Sequence, residues 1–292
     1  MSERTFAGWK TSVARAALIG AALGFSAAHA AAPATAQTLV DRELAFAQAS
    51  VDHGMRAAFL EYLADSAVIM APGPSPARST IESGPSPGAP LRWRPDLATM
   101  SRLHDFGWAS GPFSSWAHST DDRPDQSGHY FTVWWLEDNG NWRVVLDGGV
   151  AYPVAETDLP HHFDVKARLR ESGGRGGQQD CVVDFTDLWR QKGRVKALKE
   201  YVANDARLLY AGIPPRDGKA IQPATDPLAN AHLAAVHVAR RLGSELGDIV
   251  VTYGEFDIES TLEAPARRLV FIQAWDVSGK CKLALEALNP AR

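Results

Sequence analysis

Apolar residues recur at helical spacing in two separate stretches of the chain. In residues 39–65, Leu44, Phe46, Ala47, Met55, Ala58, Phe59, Tyr62 and Leu63 fall mostly on one stripe, and Gly54 divides the stretch into two predicted helices. The pattern returns after residue 181. Val183, Phe185, Leu188 and Trp189 line one helix, Lys192 and Gly193 break it, and Val195, Leu198, Tyr201 and Val202 line the next. Each helix pair runs past an acidic residue, Asp65 or Asp205, into a short apolar run stopped by Gly and Pro, which predicts a strand.

Residues 72–90 are rich in Pro, Gly and Ser and predict a loop or flap. The counterpart in the second half predicts a helix from about Pro227 to Arg241, and residues 93–103 would play the same covering role in the first. Strand patterns then dominate. Residues 104–113 match residues 247–256. Residues 129–136 and 142–148 form a predicted hairpin around Asp138, Asn139 and Gly140, and residues 269–276 and 281–287 form another around Ser278 and Gly279.

The two halves are copies of one sequence pattern. A shift of 139 residues carries Gly193 onto Gly54, Ala197 onto Ala58, Glu200 onto Glu61 and Tyr201 onto Tyr62. A shift of 143 carries Asp248 onto Asp105 and Gly254 onto Gly111. The order of elements, helices and then antiparallel strands, predicts an α+β class. The expected boundaries are an export segment at 1–36, a first domain at 37–155, a linker at 156–180 with its Gly cluster, and a second domain at 181–292.

The N-terminus changes the expected compartment. Arg4, Lys10 and Arg15 precede the apolar stretch 16–29, and small residues flank His29 and Thr35. That three-part layout is a secretory signal peptide, and the apolar run is short of the ~20 residues of a spanning helix. The chain is therefore expected to be exported, periplasmic or secreted from a bacterium, with no membrane span after the signal is removed. In that setting Cys181 and Cys281, the two cysteines of the chain, either form a disulfide or remain two partly buried thiols. A net charge of −4 over 292 residues gives no electrostatic reason to expect nucleic acid as a partner. Nine Trp supply material for a large core or a pocket.

The first helical region, the motif HDFGWASGPF and the closing hairpin GHYFTVWWLEDNGNWRVVLDGG resemble the nuclear transport factor 2-like superfamily, which includes ketosteroid isomerase-like and polyketide cyclase-like domains. The resemblance covers about residues 38–153 and, through the repeat, about 181–290. It implies two tandem cone-shaped domains, each a curved, mostly antiparallel sheet wrapped around its N-terminal helices. It implies that the fused halves act as a pseudo-dimer, in a chain that is a monomer or a homodimer. The family hosts binding modules and enzymes alike.

Candidate pocket residues come from aromatic and acidic positions in or near these elements: Tyr62, Trp93, Asp105, Trp108, His129, Trp134, Tyr201, Tyr210, Tyr253, Glu255 and Trp275. Tyr62 and Tyr201, like Asp105 and Asp248, recur in both copies, which favours packing roles for them. Trp116, His118, His232 and His237 occur in one copy only. His232 and His237 lie off the i, i+4 spacing of a helical metal pair, and no metal or cofactor is expected. No nucleophile elbow or phosphate-binding loop is present. The leading expectation is a small apolar or amphipathic ligand held in a cone. The others are a cofactor-independent isomerase, cyclase or hydratase using a buried carboxyl as general acid or base, and an interaction module of the bacterial envelope with a large exposed apolar patch.

Overall fold

The computed structural model describes residues 35–70, 73–84, 91–116, 124–153, 165–169, 180–260, 265–277 and 279–291. The expected export segment, His118, His161, His162 and most of the expected linker lie outside the described residues.

In the first half, helices α1 (Ala36–His53) and α2 (Met55–Tyr62) lead into β1 (Leu63–Met70). Then come β2 (Pro74–Pro76), α3 (Ala77–Ser83), β3 (Leu91–Trp93), β4 (Leu97–Met100), β5 (Phe106–Ser115), β6 (Gln126–Leu136), β7 (Trp142–Ala151) and β8 (Lys166–Leu169). The second half repeats the plan: α4 (Cys181–Lys192), α5 (Arg194–Tyr201), β9 (Val202–Tyr210), β10 (Ile213–Asp217), β11 (Leu233–Gly243), β12 (Ile249–Ile258), β13 (Arg267–Asp276) and β14 (Lys282–Pro290).

These strands form two separate sheets. One runs β2-β1-β7-β6-β5-β4-β8, with β3 also on β5, and the other runs β10-β9-β14-β13-β12-β11. In both, the strand after the helices pairs parallel with the last strand of the meander, and the meander is antiparallel. The registers superpose. Leu63 pairs Val144 in the first sheet, and Val202 pairs Leu283 in the second, the same 139-residue shift. A bulge falls at Val145 in β7, beside Trp134 of β6, and at Ala284 in β14, beside Trp275 of β13, which makes these tryptophans equivalent. The architecture is α+β, two tandem copies with helices on the concave side of each sheet.

Gly54 and Gly193 both sit at φ 84°, a left-handed backbone that favours glycine, so the break between the helices is fixed chemically in each copy. The apolar stripes then face inward. Leu39, Val40, Phe46, Ala47, Ala58 and Phe59 are buried, and the Phe46 ring meets Phe59, Tyr62 and Trp93 at 4.8–4.9 Å. In the second copy Cys181, at the start of α4, is disulfide-bonded to Cys281, just before β14, with 5.6 Å between their Cα atoms. Asp180 Oδ1 accepts from Val183 N and caps the same helix.

Three expectations are corrected. Residues 227–241 are not a helix. Residues 233–243 form β11, paired along the whole length of β12. The Leu and Ala content suits a helix, but Val236 and Val238 alternate at strand period, and the open edge of β12 supplies backbone partners that decide the outcome. The matching residues 93–103 are likewise strand, β3 and β4, interrupted at Pro95, which has no N–H to donate. The flap at 72–90 contains structure: residues 74–83 form β2 and α3, and the Arg56 guanidinium donates to the carbonyls of Glu82 and Gly84 at the helix end. Within the expected linker, β8 pairs parallel with β4 and so belongs to the first sheet.

The outer faces of the two sheets meet. The position a Cβ on Gly148 would take is 3.5 Å from Ile272 Cδ1, and one continuous apolar cluster includes Phe131 and Val133 with Val251, Tyr253, Val270 and Ile272. The rim contacts are reciprocal. Asp105 Oδ2 accepts from Glu245 N at 2.6 Å, and Asp248 Oδ2 accepts from Arg102 N at 2.9 Å. The other oxygen of each Asp takes a serine hydroxyl, Ser101 or Ser244, at 2.5 Å. Each contact maps onto the other by the 143-residue shift, as in an isologous two-fold interface. Arg207 crosses the seam off this pseudo-axis, bidentate to Asp96 at 2.5 and 3.1 Å and to Asp217 at 2.8 and 2.7 Å.

Candidate functional site

The concave side of the first sheet keeps a cavity of about 770 Å³. Its walls are mostly apolar. Met55 and Phe59 come from α2, Ile69 from β1, Trp93 from β3, Phe113 from β5, and Trp116 from just beyond β5. Polar groups converge from fewer positions: Tyr130 on β6, Asp147 on β7, and Gln126 and Asn289 near the rim. Asn289 and its neighbour Pro290 belong to β14, so the second copy completes the rim of the first copy's cavity. The Asn289 side chain is anchored there by donating to the carbonyl of Gly149 at 2.8 Å.

Alternation along β6 places Tyr130, Thr132 and Trp134 on the concave face. Thr132 lies opposite Asp147 across the β6–β7 pair and donates to its Oδ2 at 3.0 Å. Asp147 keeps some solvent contact through the cavity but is otherwise enclosed. Burial pushes its carboxyl up to about 7, although the Thr132 hydrogen bond favours the ionised form. Behind the wall lies Glu43 of α1, with no exposed surface. Its two oxygens accept from the indole N–H groups of Trp93 and Trp134, each at 2.7 Å. Burial raises the Glu43 carboxyl from 4.5 to about 8 against the pull of those two donors, and the nearby Asp147 adds to the rise. The buried Tyr130 hydroxyl lies close enough to Glu43 to affect it, yet makes no well-formed hydrogen bond to any described group.

The second cone carries the same framework with different chemistry. The 139-residue shift puts Arg194 at the place of Met55 and Glu286 at the place of Asp147. Gln273 faces Glu286 across β13–β14 as Thr132 faces Asp147. The Arg194 guanidinium is fully buried, bonded to Asp226 at 3.0 Å, to the Tyr210 hydroxyl at 2.7 Å and to Glu286, with its carbon 4.6 Å from the Trp189 ring centre. Gln273 Nε2 donates to Glu286 at 2.7 Å, and Arg216 and the backbone N of Leu228 donate to Asp226. Burial alone would raise Asp226, but Arg194 and the hydrogen bonds hold it below the usual carboxylate value. This concave face is closed by an ionic network built on the chain.

Of the candidates from sequence, Trp93 lines the cavity and Trp134 supports it through Glu43. Tyr62 stacks on Phe46 at 4.9 Å and meets Trp134 edge-on, and Tyr201 repeats this against Phe185 and Trp275. Tyr210 belongs to the ionic network. Trp275 is buried in the second core with no partner for its indole N–H among the described residues, and Val182 stands where the first copy has Glu43. Asp105, Trp108, His129, Tyr253 and Glu255 are not among the described residues that line this cavity. Strand alternation turns Trp108, His129, Tyr253 and Glu255 to the outer faces, and Asp105 is spent on the seam. His129 Nδ1 contacts Tyr152 Oη at 2.7 Å, and burial together with Arg207 lowers it to about 4, so it is neutral near pH 7.

Glu43, Tyr130 and Arg194 were missed. The signal was present for two of them: Glu43 sits on the apolar stripe Leu39, Val40, Phe46, Ala47, and Arg194 sits on the stripe Ala197, Leu198, Tyr201. A charge on a buried stripe is itself informative. Among the described residues no group of three or more His, Cys, Asp or Glu is placed to hold a metal ion, and no helix is long and apolar enough to cross a membrane.

Among solved structures the chain is similar to an NTF2-like protein from Cytophaga hutchinsonii, at 17% identity over 39% of this chain and 99% of that one, with a TM-score of 0.30. It is similar to a protein described as a SnoaL-like polyketide cyclase from Mesorhizobium loti, at 19% identity over 37% and 95%, with a TM-score of 0.27. A protein of unknown function with a cystatin-like fold from Nostoc punctiforme matches at 15% identity over 39% and 90%, with a TM-score of 0.31. No protein-family model and no curated protein matches the chain.

Proposed function

We propose that the first copy binds a small apolar or amphipathic molecule in its cavity and that the second copy is a structural partner. The observation that carries this reading is the difference between the two cones. One scaffold, with matching register, holds a cavity of about 770 Å³ in the first copy and a buried guanidinium network in the second. A cavity of this size with apolar walls and a few converging polar groups suits a small ligand. We propose also that the protein works after export. The N-terminal pattern supports this, as does the Cys181–Cys281 bridge, which persists in an oxidising compartment.

The test is titration with the neutral fluorophore N-phenyl-1-naphthylamine, followed by its emission. One molecule should bind per chain, and Ile69→Trp, which fills the cavity, should weaken binding at least about tenfold while the protein stays folded by circular dichroism. No binding by the native protein, or equal binding by folded Ile69→Trp, refutes the reading.

Asp147 and Tyr130 on one cavity wall favour a second reading, acid–base catalysis without a cofactor. Ionised Asp147 would take a proton from carbon beside a carbonyl and return it to another carbon, while Tyr130 donates to the developing oxyanion. Deuterium exchange into a cyclic ketone such as 2-tetralone, followed by NMR, tests it. Exchange no faster with native protein than with Asp147→Asn removes this reading.

A further inference from the structure

We propose that the ligand of the first cavity carries an organic cation, an ammonium or guanidinium group, with Asp147 as its counter-ion. The inference rests on the ligand-binding reading above and names the chemistry of that same cavity.

The second copy shows what this scaffold does with a carboxylate at that register. Glu286, the counterpart of Asp147, meets the Arg194 guanidinium, which also lies over Trp189 at 4.6 Å and bonds the Tyr210 hydroxyl. Two carboxylates, Glu286 and Asp226, a phenol and an aromatic face together form a cation site, filled from within the chain. In the first copy one carboxylate, the phenol and the aromatic face are present as Asp147, Tyr130 and Trp93, but the residue at the Arg194 position is Met55. None of the described lining residues is Lys, Arg or His. The buried Tyr130 hydroxyl makes no well-formed hydrogen bond to any described residue, so its oxygen can accept an N–H. At the rim the guanidinium of Arg92, which is outside the residues that line the cavity, lies over the Trp116 ring at 5.0 Å.

The proton balance fixes the sign of the pH dependence. Near and below neutrality Asp147 holds a proton. A bound cation favours the carboxylate, so that proton leaves to solvent on binding, and affinity rises with pH. The groups facing Asp147 are Thr132 and Tyr130 from β6 and, behind the wall, Glu43 from α1. Arg207 and Asp96, across the sheet, act on Tyr130 with opposite signs. Glu43 pushes the same way as Asp147, since its ionised form also favours a cation. A neutral ligand that accepts a hydrogen bond from a protonated acid would show the opposite trend.

The experiment compares 1-naphthylmethylammonium with its neutral counterpart 1-naphthalenemethanol on the full chain by isothermal titration calorimetry. At about pH 8 the ammonium should bind at least about tenfold tighter than the alcohol, and the preference should shrink steadily toward about pH 5.5. Asp147→Asn should lose the preference and bind the two probes alike at both pH values. Equal binding of both probes by the native protein, a preference that does not change with pH, or a preference retained in Asp147→Asn overturns the inference but leaves the ligand-binding reading standing. Failure of both probes to bind overturns the two together.

Discussion

Glu43→Gln offers a direct check on the electrostatics of the first cone. The folded protein holds the Glu43 carboxyl at about 8, against 4.5 for the unfolded chain. Because the folded value is the higher one, the fold favours the protonated form. The stability tied to that proton is whole below about pH 4.5 and is lost progressively until pH passes about 8. At ~1.4 kcal/mol per pH unit over that interval, the ceiling is about 5 kcal/mol. Asp147 acts in the same direction between 3.8 and about 7, and its charge contributes to the Glu43 rise, so the two effects overlap. Glutamine removes the titration but offers one acceptor oxygen where two indole N–H groups need one each. That leaves a pH-independent cost of about 1–3 kcal/mol. The native protein should therefore be the more stable at about pH 4.5, and the gap should close between about pH 5 and about pH 7 and reverse above that. Urea unfolding of both proteins, followed by Trp fluorescence with the disulfide intact, measures the gap at each pH. A gap that stays constant from about pH 5 to about pH 8.5 would refute a buried, proton-holding Glu43.

In the second cone, Arg194→Met leaves Glu286 buried without its cation and Asp226 with Arg216 alone, and should cost about 3–5 kcal/mol by urea unfolding, with Arg194→Met, Glu286→Gln together recovering most of it. No recovery in the double variant would contradict the network. Reduction of Cys181–Cys281, which are 100 residues apart in sequence, should lower stability by about 2–5 kcal/mol. A loss under about 1 kcal/mol in the same unfolding assay would mean that the bridge contributes little. At the seam, Asp105→Ala and Asp248→Ala each remove the acceptor for the opposite copy's backbone N–H and should cost about 2–3 kcal/mol apiece. Markedly unequal thermal destabilisation would argue against the reciprocal contact.

The duplicated framework was legible because its signals are local and repeated. Gly54 and Gly193 mark the helix break, Asp138-Asn139-Gly140 marks a hairpin, and the 139-residue shift survives into the strand registers. The β11 region misled because Ala and Leu satisfy helical spacing while the decision is made by β12, whose pairing runs from Gly243 with Val250, 7 residues apart, to Leu233 with Ile258, 25 residues apart. Aromatic richness was a poor guide to the cavity. Trp93 lies on its wall, but Trp108 and Tyr253 lie on sheet faces that the fold turns toward the seam. Those faces are apolar for packing, and strand alternation alone cannot say which side a second copy will cover. The acids that matter are set by long-range contacts, such as Glu43 with Trp134, 91 residues on, which no short window contains.

Asn289 and Pro290 give the fusion a consequence for the history of the chain. A stand-alone ancestral bowl had to complete its lip with its own tail or a neighbour's. Here the later half supplies that lip and, with its own bowl plugged by Arg194, has no need of one. The plugged half is therefore not spare: removing Asn289 and Pro290 would breach the open bowl, although every residue of its helices and most of its wall would remain.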